Sequence, residues 1–313
     1  LAAELRTPDT EGHMYTILGA SGNTGGIITE KLLAQGQKVR AVGRDRTRLA
    51  GATQRGAEAF IADAIDANTL AEAFSGAQAV YVLNPPNPGD ADVRRYQERV
   101  NTAVATAIQK SGVRYAVVLS SVGADKADRT GPVVALHNLE KKLSAIDGLN
   151  ALFLRAGYFM ENLLAQVGVI QAMGTIAGPL RADLAVPLIA TRDIGNAAAD
   201  ALLKLDFKGA TARELLGPRD VSYTEIAKVV GAAIGKPGLG YMQAPAMMLK
   251  PALMRMGLSG SMVDLLLEMS EALNNGYMTP LEARSAENST PTTVETWVAE
   301  VFVPAFRGKA AQA

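Results

Sequence analysis

From Met14 onward, short apolar runs alternate with longer stretches whose apolar positions recur every three to four residues. A strand buried on both faces reads as a continuous apolar run, and its parallel neighbour needs a crossover helix to reach it. The pattern therefore predicts strands over 15–18, 39–42, 57–61, 79–83, 115–119 and 151–154. Helices are predicted over 23–35, 45–54, 66–74, 90–111 and 133–146. Asn68 and Asp90 stand near helix starts, where a side-chain oxygen can cap free N–H groups. Gly36 and Gly112 stand just past helix ends, where a positive φ is common.

After residue 155 the alternation weakens. A helix is predicted over 159–173, an extended piece over 185–189 and a helix opening at Asp193. A strand over 214–216 then precedes Ser222-Tyr223-Thr224-Glu225, a capping-box pattern that opens another helix. Helical segments follow over 245–256, 261–274 and 292–302. The expected division is an α/β domain over 14–155 and a smaller, mostly helical region over 156–313 that partly returns to the main sheet. Residues 1–13 fit neither pattern; Gly12-His13 directly before Met14 reads as the end of either a natural extension or a cloning scar.

Composition narrows the partners. Lys+Arg and Asp+Glu both number 31, whereas a nucleic-acid binder carries a basic excess, so direct nucleic-acid binding is not expected. Cysteine is absent, which removes disulfides, thiolate metal sites and a cysteine nucleophile and fits a cytoplasmic location. With only two histidines, no metal site is expected. No apolar run reaches the roughly 18–20 residues of a membrane helix, so membrane association is not expected. A homo-oligomer remains open.

Between the first strand and first helix lies Gly19-Ala20-Ser21-Gly22-Asn23-Thr24-Gly25-Gly26. Glycines there permit a tight turn and a close backbone approach to phosphate, while the helix N-terminus offers free N–H groups and a positive dipole. The spacing G-x-x-G-x-x-G is one residue longer in its first gap than the common dinucleotide fingerprint. The expected fold class is thus a Rossmann-type doubly wound parallel sheet, with a nicotinamide dinucleotide as cofactor. The second strand ends Val42-Gly43-Arg44-Asp45. Arg44 can hold a 2′-phosphate with its planar donor fork, which points to NADPH; Asp45 leaves NADH open, because an acidic residue there can bind the ribose.

Taken together, these segments resemble the NmrA-like, atypical branch of the short-chain dehydrogenase/reductase superfamily, particularly its quinone oxidoreductases and triphenylmethane-dye reductases. The resemblance rests on Gly19–Gly26, Val42–Asp45, Ala62-Asp63-Ala64, Ser120-Ser121-Val122-Gly123, Arg155–Asn162 and Thr191–Gly195, and covers roughly residues 14–235. It implies that Gly19, Ser21, Gly22, Asn23, Thr24 and Gly25 hold the pyrophosphate. It further implies that Asp63 and Ala64 lie beside the adenine and that Asn84 and Pro85 flank the middle of the cofactor. Ser120 and Ser121 would lie near the nicotinamide, and Ala156-Gly157-Tyr158 would pass over its face. Ala156 stands where family members commonly have proline.

The chemistry expected of this chain is defined partly by what it lacks. None of the eight tyrosines has a lysine four residues later, so the Tyr-x-x-x-Lys acid–base pair of typical relatives is missing. Where that pair would fall, His137 and Lys141 share a helical face and are the candidate catalytic residues, although Glu140 can be matched two ways. Quinones and conjugated cations accept hydride readily, so positioning alone can supply most of the effect. Eight of the eleven methionines lie between 242 and 278, either as core or as an adaptable pocket for planar ligands. The expected function is an NADPH-dependent reductase of small planar conjugated acceptors; the alternative is a non-catalytic NAD(P)-binding sensor or regulator.

Overall fold

The computed structural model describes residues 13–308. In chain order, its first part comprises β1 (Met14–Leu18), α1 (Asn23–Ala34), β2 (Lys38–Gly43), α2 (Arg46–Gln54), β3 (Glu58–Ile61) and α3 (Ala67–Phe74). It continues with β4 (Ala79–Val82), α4 (Val93–Ser111), β5 (Tyr115–Ser121), α5 (Val134–Ser144) and β6 (Asn150–Ala156). The remainder begins with β7 (Tyr158–Phe159), α6 (Gln166–Met173), β8 (Ile176–Gly178), β9 (Ala185–Ile189), α7 (Thr191–Lys204) and β10 (Ala210–Leu215). It ends with β11 (Asp220–Ser222), α8 (Tyr223–Ala233), β12 (Tyr241–Gln243), α9 (Ala246–Arg255), α10 (Gly260–Asn274), α11 (Val294–Trp297) and α12 (Val303–Phe306).

Seven strands form one parallel sheet in the order β10-β6-β5-β4-β1-β2-β3. The chain runs outward from β1 to β3, then returns to β4 on the other side of β1. That reversal opens a crevice at the carboxyl ends of β1 and β4, the place where open α/β sheets bind ligands. The sheet is covered on both faces. Ile17, Ile28, Leu32 and Leu202 form the core on the side where α1 packs on α7. Leu70, Phe74, Val104 and Leu139 fill the other side, beneath α3, α4 and α5. Each fully buried leucine such as Leu32 contributes about 1.5–3 kcal/mol. A third cluster, with Met160, Leu188, Tyr223, Trp297 and Phe302, builds the C-terminal region.

Several local expectations shift. The caps of α3 and α4 are Asp66 and Asp92 rather than Asn68 and Asp90. Asp66 accepts the Asn68 and Thr69 N–H groups, and Asp92 accepts the Arg95 N–H at 3.0 Å. Asp90 instead accepts the Asp92 N–H, closing the turn before the helix. Residues 159–173 do not form one helix. They divide into a 3₁₀ segment, Met160–Ala165, and α6, because Glu161 reaches out to the Thr191 and Trp297 N–H groups. The predicted 292–302 helix passes through a π-helical stretch at Val298–Phe302, which keeps Trp297, Val298 and Phe302 buried together. β10 starts earlier than expected and lies at the sheet edge beside β6.

Candidate functional site

The turn after β1 is built for close backbone approach. Gly19 has φ +75°, and its N–H donates to the Val42 carbonyl at 2.9 Å. The Gly22 N–H then donates back to Gly19 O at 2.9 Å. A Cβ on Gly25 would stand 2.2 Å from Gly19 O, so the position excludes every other residue. Around Gly22, among the described residues, the only neighbour such an atom would meet is Gly19 O, at 3.2 Å. Gly22 caps α1 without a side-chain hydrogen bond, and the first turn carries no acid. The N–H groups of Asn23, Thr24 and Gly25 therefore lack intrahelical partners and present a donor cluster suited to an anion. Thr24 Oγ1 is held from behind by the hydroxyl of Tyr81 at 2.9 Å, a phenol that burial pushes up.

A cavity of about 1130 Å³ runs from this turn across the carboxyl ends of the strands. Gly19, Ser21, Gly22, Asn23 and Thr24 line it, whereas Gly25 lies behind them in the packing of turn on helix. Beyond β2 the walls are Arg44, Asp45, Arg48, Ala62, Ala64 and Tyr96. Asp45 is committed elsewhere: its carboxylate accepts the Thr47 N–H at 2.8 Å and caps α2. Among the described residues, neither Arg44 nor Arg48 is in an ion pair. Two exposed guanidinium groups, four residues apart, thus face this end. Asp63 is exposed and off the wall, its carboxylate accepting the Ile65 N–H at 3.3 Å, while Ala62 and Ala64 on either side face inward. Burial pushes the Tyr96 phenol up, partly offset by Arg44.

On the other side of β1, Asn84, Pro85, Ser120 and Tyr158 all reach the cavity. The Asn84 amide donates to Gln97 O at 3.0 Å and to Asn101 Oδ1 at 2.9 Å, leaving its own Oδ1 buried without a partner among the described residues. Ser120 donates to Glu140 Oε1 at 2.5 Å, and Glu140 is held by Arg155 through Nε at 3.0 Å and Nη2 at 2.6 Å. The pairing raises the Arg155 pKa above its ordinary value. Tyr158 faces Tyr223 and Asn162, and burial pushes its phenol up. Tyr223 stacks on Tyr241 with ring centroids 4.7 Å apart, and Tyr241 donates to Leu180 O at 2.7 Å. Val133, Leu136, Met269, Leu273 and Met278 supply an apolar wall at this end.

The two residues expected to be catalytic are not on that wall. His137 Nδ1 is bonded to Ala124 O at 2.9 Å, and Lys141 is exposed. The face of α5 that meets the cavity and the sheet carries Leu136 and Glu140, with Val133 just before the helix; His137 and Lys141 each sit one residue on, about 100° around the helix. Leu136 and Glu140 share the four-residue spacing of His137 and Lys141, and they are the pair on the inward face. Sequence reading also missed Arg48 and the Glu140–Arg155 pair; the second arginine four residues after Arg44 was the available signal for the former. The methionines divide. Met269 and Met278 line the cavity, while Met247, Met248, Met254 and Met256 are exposed on and after α9.

A doubly wound sheet with its glycine turn, free helix N-terminus and arginines around one crevice belongs to the Rossmann-type nucleotide-binding class. Within that class, the chain belongs to the NmrA-like family, whose model matches residues 13–298. It is 27% identical over 258 residues to an NAD(P)H azoreductase of Xenophilus azovorans, covering 82% of this chain and 86% of the relative. Among solved structures it is similar to an NADPH-dependent quinone oxidoreductase of Escherichia coli, with TM-score 0.78 and 22% identity over 92% of this chain and all of the other. A triphenylmethane reductase of Citrobacter sp. gives TM-score 0.72 and 18% identity, covering 91% and 99%. The negative transcriptional regulator NmrA in complex with NADP gives 0.70 and 14%, covering 96% and 99%. At these identities the structural likenesses establish shared fold. The family resemblance drawn from the motifs is confirmed. Among the described residues no helix is long and apolar enough to cross a membrane, and no group of three or more His, Cys, Asp or Glu is placed to hold a metal ion.

Proposed function

We propose that the protein is an NADPH-dependent reductase that passes hydride to small planar conjugated acceptors, quinones above all. The observation that carries this reading is the continuity of one cavity, with the donor-rich turn and two arginines at one end and an apolar wall at the other. The residues fit the cofactor: Gly22 leaves room beside free N–H groups for a pyrophosphate, and Arg44 with Arg48 suits a 2′-phosphate. Asp45 gives one carboxylate oxygen to the cap of α2, so the unpaired charge at the end of β2 is carried by Arg44 and Arg48, which favours the phosphorylated dinucleotide. The name of the azoreductase relative supports the same class of chemistry.

Reduced nicotinamide, when bound, supplies the hydride. The chain's own contribution is to hold, orient and dry the reactants. Leu136, Met269, Leu273 and Met278 exclude water around a planar acceptor, and the flexible thioethers adapt to its outline. No tyrosine with a lysine four residues on is present to protonate an alkoxide. Acceptors that delocalise the incoming charge are therefore the suitable ones, and simple ketones are not. The test is an acceptor panel followed by loss of the reduced-nicotinamide absorbance. Turnover of quinones or azo compounds and none of simple ketones is expected. Tight NADPH binding without turnover of any acceptor would favour the sensor alternative.

A further inference from the structure

Ser120 stands at the carboxyl end of β5, 2% exposed, on the wall of the cavity. Its cross-strand neighbour in the sheet register is Arg155, so both side chains emerge on the same face, under α5. Glu140 reaches down from α5 between them. Its Oε1 accepts both the Ser120 hydroxyl at 2.5 Å and Arg155 Nε at 3.0 Å, while Oε2 accepts Arg155 Nη2 at 2.6 Å. A guanidinium has only hydrogens to give, and Glu140 accepts from it with both oxygens. The single hydrogen on Ser120 Oγ is therefore committed to Glu140. What the serine has left for the cavity is lone pairs. Ser121 is spent separately, donating to Val122 O at 2.9 Å.

We propose that Ser120 is an obligatory hydrogen-bond acceptor in the cavity, that it receives an N–H of the nicotinamide carboxamide, and that Glu140 is the positioning residue that fixes this polarity. The inference rests on the NADPH reading above. With the 2′-phosphate at Arg44 beyond β2 and the pyrophosphate at the end of β1, the rest of the dinucleotide runs the other way, over β4 and β5. Ser120 lies two strands from β1, about 10 Å along the sheet. The nicotinamide carboxamide is the part of the cofactor that brings an amide N–H donor to that end. A serine free to donate could bond the carboxamide oxygen instead, so that either rotamer of the group would be accepted. The Glu140–Arg155 pair removes that option.

The test uses three ligands, titrated calorimetrically into the full chain. These are NADPH, its reduced 3-acetylpyridine analogue, in which a methyl replaces the carboxamide NH₂, and 2′-phospho-ADP-ribose, which lacks the ring. The wild-type protein should prefer NADPH to the acetyl analogue by about 3- to 10-fold, the worth of one hydrogen bond. Ser120→Ala should abolish that preference and leave 2′-phospho-ADP-ribose binding unchanged. Glu140→Gln should narrow the preference as well, because an amide partner no longer dictates where the serine hydrogen goes. If Glu140→Gln does not fold, Ser120→Ala still decides, since it keeps the Glu140–Arg155 pair. Equal affinity of the wild type for NADPH and the acetyl analogue would overturn the proposal, as would a Ser120→Ala variant that keeps the wild-type preference. Failure of all three ligands to bind would instead overturn the cofactor reading on which it rests.

Discussion

Replacing Arg155 with methionine isolates the energetic role of the ion pair beneath the cavity. Arg155 makes two charge-assisted hydrogen bonds to Glu140, at 3.0 and 2.6 Å, and the two side chains are only 15% and 10% exposed. Arg155→Met would leave the carboxylate with the Ser120 hydroxyl as its remaining side-chain donor. Breaking one side of a buried pair costs about 3–5 kcal/mol, a large share of the roughly 5–15 kcal/mol by which domains are stable. At about 2 °C per kcal/mol for a chain of this length, the melting temperature should fall by about 6–10 °C. The double variant Glu140→Leu/Arg155→Met fills similar volume without an orphaned charge and should recover most of the loss. Urea and thermal unfolding of the wild type, both single variants and the double complete the cycle, all measured without cofactor. A loss below about 1 kcal/mol in Arg155→Met, or a double variant as unstable as the sum of the singles, would refute the reasoning.

Three further outcomes can be checked by binding and rate measurements. Arg44→Ala should weaken NADPH by about 10- to 100-fold while leaving NADH nearly unchanged, measured by calorimetry, with Arg48→Ala acting in the same direction. Gly22→Val should abolish cofactor binding, because a branched Cβ would press on Gly19 O at 3.2 Å and block the approach to the helix N-terminus; circular dichroism run alongside separates lost binding from lost fold. His137→Ala should change kcat by about 10-fold or less, well short of the roughly 10²- to 10⁴-fold lost with a general acid, since its ring is bonded to Ala124 O away from the cavity wall.

The main sheet was legible because its strands announce themselves. A run such as Ala79–Val82 is fully buried, and its apolar continuity is the direct imprint of helices on both faces. The glycine turn was legible for a similar reason, since Gly25 is demanded by a backbone contact that adjoins it in sequence. Features that depend on side-chain choice between near-equal local partners were less so. Asp66 and Asp92 took the cap positions over Asn68 and Asp90 because the turns before α3 and α4 close two residues away from where composition alone suggests. Non-local features were invisible. Glu140 and Arg155 are 15 residues apart, and nothing in either neighbourhood says that β6 brings Arg155 under α5. The same gap hid which face of α5 turns inward. His137 and Lys141 have the right spacing, but only the docking of α5 shows that Leu136 and Glu140 face inward. The exposed methionines of α9 likewise look identical in sequence to Met269 and Met278 at the cavity.

The central claim is that a bound dihydronicotinamide gives its hydride to an acceptor lodged in the same cavity. The most direct test is anaerobic stopped-flow mixing of the NADPH-loaded protein with a naphthoquinone, repeated with NADPH deuterated at C4 on each face in turn. Rapid bleaching of the reduced-nicotinamide band, slowed by deuterium on one face only, is the predicted result. A complex that binds NADPH tightly, yet keeps that band unchanged after mixing with the quinone, would contradict it.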